Sequence, residues 1–248
     1  MKIAVISDIH ENSESLKQAL REIEFHKCDE IICLGDISGF SIPFYTYFET
    51  RNAHECLNLI KANCKTVILG NHDLHAASII PENCTFFNFP SNWYQMNYQQ
   101  RNKLSQNVLW LHDEHDLNPL YTTEDIEYLK SLAEFSILNT PEFNILFTHY
   151  AYPNISGIKK DFYTYKFEFQ QHFKFMESKN CAVSFIAHSH AKGFYTVTKE
   201  RLKQYDYQEM ELGLENICIG IPPITDQQMK SGFCIFDTYQ HTIKVVKL

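Results

Sequence analysis

Short runs of β-branched and aliphatic residues recur along this chain, and most of them stop at a residue with chemistry of its own. The run from Ile3 to Ile6 enters Ser7-Asp8-Ile9-His10, Glu30 to Leu34 stops at Gly35-Asp36, and Val67-Ile68-Leu69 breaks at Gly70-Asn71-His72-Asp73. Phe143 to Phe147 ends in Thr148-His149, and Ala182 to Ala187 runs into His188-Ser189-His190. Apolar runs of this length bounded by turn residues predict buried strands. Asp8 and His10, two positions apart, face the same side if the chain stays extended. Helical spacing lies between the strands. Leu16, Ala19, Leu20 and Ile23 predict a helix capped by Asn12 or Ser13 and ending near His26, and Leu57 and Ile60 mark another after an irregular loop through Arg51. Strand, loop, helix is the opening of a βαβ unit, so the chain is read as α/β.

From Leu74 to about Ile137 the strand-like runs give way to helical spacing rich in Asn, Gln and aromatic residues. This stretch is read as a helical insertion in one domain spanning residues 1–248, since no linker, repeat or low-complexity segment divides the chain. Thr122-Thr123-Glu124-Asp125 ahead of Ile126, Leu129 and Leu132 has the hydroxyl-then-carboxylate order of a capping box. Trp93, Tyr94, Tyr98 and Trp110 either line a substrate cavity or anchor the insertion to the main body. Phe162, Tyr165, Phe169, Phe173 and Met176 predict one face of a later helix. Beyond Gly193 the candidates are short strands: Phe194 to Thr198, Asn216 to Ile219, Phe233 to Phe236 and Thr242 to Val246, with a turn at Gly220-Ile221-Pro222-Pro223.

A hydrophobic fraction of 44% and a charged fraction of 21% are those of a folded globular chain. The net charge of -8 disfavours long nucleic acid, whose binding needs a basic face, but says little about small phosphorylated ligands. The 8 cysteines form no Cys-x-x-Cys pair and several sit in apolar runs, as reduced buried thiols do. With too short an apolar start for a secretory leader and no run of bilayer length, the expectation is a cytoplasmic protein with no membrane segment.

The polar residues that follow the strands are Asp8, His10, Asp36, Asn71, His72, His149, His188 and His190. In an open α/β sheet the carboxyl ends of parallel strands share one crevice, so these distant residues would meet there. Nitrogen and oxygen donors without cysteine suit Mn, Fe, Zn or Ni. Eight candidates exceed one tetrahedral site. Two ions roughly 3.5 to 4 Å apart, sharing a carboxylate, would use them and would let a bound water ionise near neutral pH.

In that order, Asp8-Ile9-His10, Gly35-Asp36, Gly70-Asn71-His72-Asp73, His149 and His188-Ser189-His190 resemble the motifs of the calcineurin-like metallophosphoesterase superfamily, over residues 3 to about 195. The resemblance is to its small bacterial and archaeal phosphodiesterase-like members. It implies a sandwich of two mixed β-sheets flanked by helices, with one divalent metal on Asp8, His10, Asp36 and His190. A second would sit on Asp36, Asn71, His149 and His188, Asp36 bridging. His72 would be the catalytic residue beside them, as proton donor to the leaving oxygen or stabiliser of transition-state charge. The implied activity is hydrolysis of a phosphodiester or phosphomonoester of a small molecule, the alternative being a noncatalytic scaffold on the same fold.

Departures from the family pattern are informative. Glu11 stands where small members commonly have glycine, and Ala187 replaces the glycine usual before the last His-x-His. Asp36-Ile37-Ser38-Gly39 lacks the Asp-Arg pair of the serine/threonine phosphatases and related hydrolases, and Leu69 replaces their arginine before Gly-Asn-His. Those guanidiniums are bidentate phosphate clamps, so a phosphomonoesterase of that type is disfavoured. Lys159, Lys160 and Lys192 are the candidates for replacement positive charge.

Overall fold

The computed structural model describes residues 1–213, 215–226 and 231–248. β1 (Lys2–Ile6) leads to α1 (Ser13–Phe25), β2 (Glu30–Cys33), the two-residue β3 (Phe40–Ser41), α2 (Ala53–Asn63), β4 (Thr66–Val67) and α3 (Asn71–Ala76). Asn12 caps α1 by accepting from the Ser15 amide at 3.1 Å, and Leu16, Ala19 and Ile23 are the buried stripe that its spacing predicts. Next come α4 (Tyr98–Ser105), β5 (Asp116–Leu117) and α5 (Thr123–Lys130). At α5 the capping box forms: Thr122 Oγ1 accepts from the Asp125 amide at 3.2 Å and Asp125 accepts from the Thr122 amide at 2.9 Å.

Helical structure ends before Ile137, because β6 (Phe135–Asn139) pairs antiparallel with β7 (Asn144–Thr148) as a hairpin. After α6 (Gln170–Ser178) and β8 (Cys181–Ile186) follow β9 (Phe194–Val197), β10 (Leu202–Tyr205), β11 (Glu209–Glu211), β12 (Ile217–Gly220), β13 (Gly232–Asp237) and β14 (Thr242–Lys247). The later helix is shorter than its aromatic spacing predicts. Glu168 accepts from the amides of Thr164 and Tyr165, both at 2.7 Å, and this carboxylate cap stops the helical turns from running back to Phe162. Phe162 and Tyr165 therefore lie outside the helix and are exposed, while Phe169, Phe173 and Met176 are buried.

Two mixed six-stranded sheets form, in the orders β11-β14-β13-β1-β2-β4 and β10-β9-β12-β8-β7-β6. β1, β2 and β4 are parallel in the first, and β7, β8 and β12 are parallel in the second. Both faces of each central strand are covered, which explains the continuous apolar runs. From β1, Ile3 and Val5 join Phe147, Phe185, Ile219 and Phe236 in a core between the sheets. Ala4 and Ile6 point the other way, onto Leu16, Ile23, Leu57 and Ile60 of α1 and α2. On the far side, Leu146 and Ile186 pack against Phe173 and Met176 of α6. The result is a two-sheet sandwich flanked by helices, as the resemblance implies. Among the described residues no helix is long and apolar enough to cross a membrane.

Candidate metal centre

The parallel strands of both sheets end at the same edge of the sandwich, so the loops after β1, β2, β4, β7 and β8 converge there. The chain does not stay extended at these ends. Asp8, His10, Glu11, Asp36, His188 and His190 all adopt left-handed backbone, with φ between 47° and 66°. Such angles cost non-glycine residues energy, least for Asp and His, and they cluster where function holds them. Asp8 and His10 thus share a side because the backbone curls at each of them, and the alternation expected of an extended chain plays no part. Glu11, where family members commonly carry glycine, has φ 66°, the conformation glycine adopts most freely.

Close approach of the loops explains Gly70. A β-carbon there would lie 2.1 Å from Asp36 Oδ1, so only glycine lets the end of β4 pass this carboxylate. Beyond it the His72 amide donates to Asp36 Oδ1 at 2.9 Å. Asp73, fully buried, accepts from the amides of Gly70 at 3.2 Å and Ser38 at 3.0 Å, clamping the start of α3 to the loop after β2. Burial and the Asp36 charge push its carboxyl up to about 6, against these amide bonds.

Each candidate residue from the sequence reaches this edge. His149 Nε2 stands 3.1 Å from Asp36 Oδ2 and 3.2 Å from His188 Nδ1, and His190 Nε2 stands 3.4 Å from Asp8 Oδ1 and 3.1 Å from His10 Nε2. Three sets have donor atoms within 4.8 Å of one another: Asp8, His10 and His190; His10, Asp36 and His72; Asp36, His149 and His188. Asn71, the first residue of α3, is buried beside them. Facing imidazole nitrogens at this distance leave at most one proton between two lone pairs, so the arrangement suits a cation better than hydrogen bonding alone.

Further observations fit a metal. Asp8 Oδ1 and Asn71 Oδ1 are buried with no hydrogen-bond partner, which is costly unless a cation satisfies them. His10 Nδ1 donates to the Gly39 carbonyl and His149 Nδ1 to the Leu34 carbonyl, each at 2.8 Å, and this turns both Nε2 atoms inward. Burial would lower His149 and His190, but neighbouring carboxylates outweigh it and hold both up at about 9. Asp36 and Asp8 raise His149, and Asp226 and Asp8 raise His190. Asp8 and Asp36 are correspondingly held well below the usual carboxylate range, although burial opposes this. Burial holds His10 down at about 4, and His72 and His188 at about 3.

Some site residues, Asp226 and Arg51 among them, carried no signal in the sequence. Asp226 follows no strand-end motif, yet its Oδ2 lies 3.7 Å from His190 Nδ1. Glu11 and Arg51 make a charge contact of 2.7 Å, without the alignment of a hydrogen bond, and Glu11 also accepts from the Gly39 amide at 3.1 Å. This pair draws the loop after β2 under the site. Of the aromatics in the 74–137 stretch, Trp110 lies 4.2 Å from the His72 ring and lines the cavity in front of the site, whereas Trp93 packs on Phe87 and Phe89 in the core. Tyr94 donates to the Ile79 carbonyl at 2.9 Å, so the group divides between cavity lining and anchoring. The candidate lysines are engaged elsewhere: Lys159 pairs with Asp161, Lys160 with Asn107 and Lys192 with Asp206.

Comparisons with known proteins agree with this architecture. A protein of Methanocaldococcus jannaschii, itself uncharacterized, is 44% identical over 72 residues, which are 29% of this chain and about a quarter (26%) of that relative. A metallophosphoesterase from Sphaerobacter thermophilus has the same fold, with a TM-score of 0.66 at 15% identity over 100% of this chain and 88% of that one. A hypothetical protein from Pyrococcus horikoshii OT3 gives 0.60 at 15% identity, over 100% and 87%. The family described as calcineurin-like phosphoesterase matches residues 1–192, more than three quarters of the chain and every motif at the shared strand edge, and the chain belongs to that family.

Proposed function

We propose that the protein is a phosphoesterase that uses two divalent cations to hydrolyse a phosphodiester or phosphomonoester of a small molecule. The observation that carries this reading is the gathering of two buried oxygens, Asp8 Oδ1 without an aligned hydrogen bond and Asn71 Oδ1 without a partner, among inward-facing imidazole nitrogens. Asp8, His10, Asp36 and His190 would hold one ion, and Asp36, Asn71, His149 and His188 the other, with Asp36 shared. Mn, Fe, Zn and Ni all suit this donor set. When bound, such ions supply Lewis acidity and a water acidic enough to ionise near neutral pH.

The chain's own groups orient and complete the site. The Gly39 and Leu34 carbonyls fix the rings of His10 and His149, and Asp226 faces Nδ1 of His190. His72, its amide tied to Asp36 and its ring against Trp110, would serve either as proton donor to the departing oxygen or as stabiliser of transition-state charge. We read residues 1–248 as one domain in which the 74–137 insertion contributes Trp110 to the cavity. The free cysteines suit the cytoplasm.

The test is hydrolysis of bis-p-nitrophenyl phosphate by protein loaded with each of the four metals, with and without EDTA. Chelator-sensitive turnover is expected. His72→Ala should keep its metal content and lose turnover by about 10²- to 10⁴-fold, whereas Asp36→Asn should lose metal as well. Wild-type activity in His72→Ala would remove that role, and no turnover with any of the metals would favour a noncatalytic scaffold.

A further inference from the structure

The cavity in front of the candidate metal centre has a volume of about 450 Å³, within the range of small-molecule sites. Its walls are aromatic. Trp110 lies against His72 at 4.2 Å, and Phe162 against His188 and Tyr45 against His10, both at 5.1 Å between ring centroids. Three rings from three separate segments thus each lean on a different histidine of the centre. Phe44, also lining the cavity, is 67% exposed, and Phe162 is 49% exposed. Exposed aromatic rings beside a polar centre leave apolar faces ready for a planar partner.

Charge at the same walls points the same way. Among the described residues lining the cavity none is lysine or arginine, and Asp116 and Asp226 add carboxylates to that of Asp36. Asp116 comes from β5, whose pairing with β3 holds it beside Ser41. A terminal phosphate or polyphosphate brings two or more negative charges, and beyond the cations that would bind at the centre no guanidinium or ammonium of the described lining residues meets the additional charge. A diester brings one.

Resting on the phosphoesterase reading above, we propose that the substrate is a singly charged phosphodiester bearing a nucleobase, with the base stacked among the cavity-lining rings of Phe44, Trp110 and Phe162. The aromatic wall selects the base, and Asp116 disfavours doubly charged monoesters. Stacking on exposed rings is worth enough per base for an effect on the order of tenfold.

The test compares three p-nitrophenyl esters on metal-loaded protein: thymidine 5′-(p-nitrophenyl) phosphate, methyl p-nitrophenyl phosphate and p-nitrophenyl phosphate. The first two share leaving group and charge and differ in the nucleoside. The expected kcat/KM ratio of nucleoside to methyl diester is about tenfold or more, and Phe44→Ala and Phe162→Ala should each reduce it severalfold, mainly through KM. Both side chains are exposed, so folding should be retained, as thermal melting will check. Asp116→Asn should raise turnover of the monoester relative to the methyl diester. Equal use of the two diesters, with ratios unmoved by the phenylalanine variants, would overturn the inference while leaving the phosphoesterase reading in place. No hydrolysis of any of the three would remove both.

Discussion

His172, on α6 and away from the candidate metal centre, is fully buried, and its hydrogen bonds dictate its protonation. The Tyr152 amide donates to Nδ1 at 3.0 Å, so the ring proton must sit on Nε2, which donates to Ser184 Oγ at 2.8 Å. A second proton would have to enter at Nδ1, against the Tyr152 N–H. Burial accordingly holds the ring's pKa down from 6.5 to about 3. In the unfolded chain the same imidazole takes a proton below about 6.5. Its folded pKa is depressed, so its contribution is fully present above the unfolded value and is lost as pH falls from 6.5 toward 3. At pH 5 the loss is about 2 kcal/mol, from roughly 1.5 pH units of unfolded-state titration.

The perturbation is His172→Asn, which removes the titration. Urea unfolding of both proteins at pH 8 and pH 5, in the same chelator, lets the other histidines cancel in the comparison. At pH 8 the variant should be less stable by about 1 to 3 kcal/mol, for the unpaired Ser184 hydroxyl and lost packing. At pH 5 the gap should narrow by about 2 kcal/mol. A gap that stays constant within about 0.5 kcal/mol, near the limit of additivity for independent sites, would refute the claim that the fold holds this ring neutral.

Other perturbations address the loop beneath the centre. Gly39, with φ 102°, sits where a β-carbon would lie 2.3 Å from His72 Cγ, so Gly39→Ala should cost roughly 1 to 3 kcal/mol in stability and lower kcat by displacing the His72 ring; thermal melting and diester turnover report the two effects. Arg51→Ala strips the counter-charge from buried Glu11 and should destabilise by about 3 to 5 kcal/mol, while adding Glu11→Gln should recover part of that loss in a double-mutant cycle read by urea unfolding.

Much of the centre was legible along the chain because each contributing strand is an apolar run that stops abruptly. Asp8, Asp36, Asn71, His149 and His188 are the polar residues at those stops, and parallel strands carry their ends to one edge. What stayed hidden depends on contacts across distance. Asp226 is visible only once the turn after β12 brings it to His190, nearly forty positions from it in sequence. Phe44 and Tyr45 belong to an irregular segment whose spacing has no period, and Phe162 falls in register with a helix from which the Glu168 cap excludes it. β6 was missed because it is a half-buried edge strand with Ser136 and Asn139 among its apolar residues. The left-handed backbone at Asp8 and His10 follows no pattern of hydrophobicity, since neither residue is glycine.

The centre straddles a seam. Asp8 and Asp36 hang from one sheet and His149 and His188 from the other, and what holds the two apart is a hydrocarbon layer that includes Val5, Phe147 and Phe185. The thickness of that layer therefore acts as a gauge for the distance between the two halves of the donor set. Trimming or enlarging a side chain deep in this filling, far from any polar group, would change the grip on cations while leaving every donor in place, so ion affinity would register faults in the packing before the fold gives way.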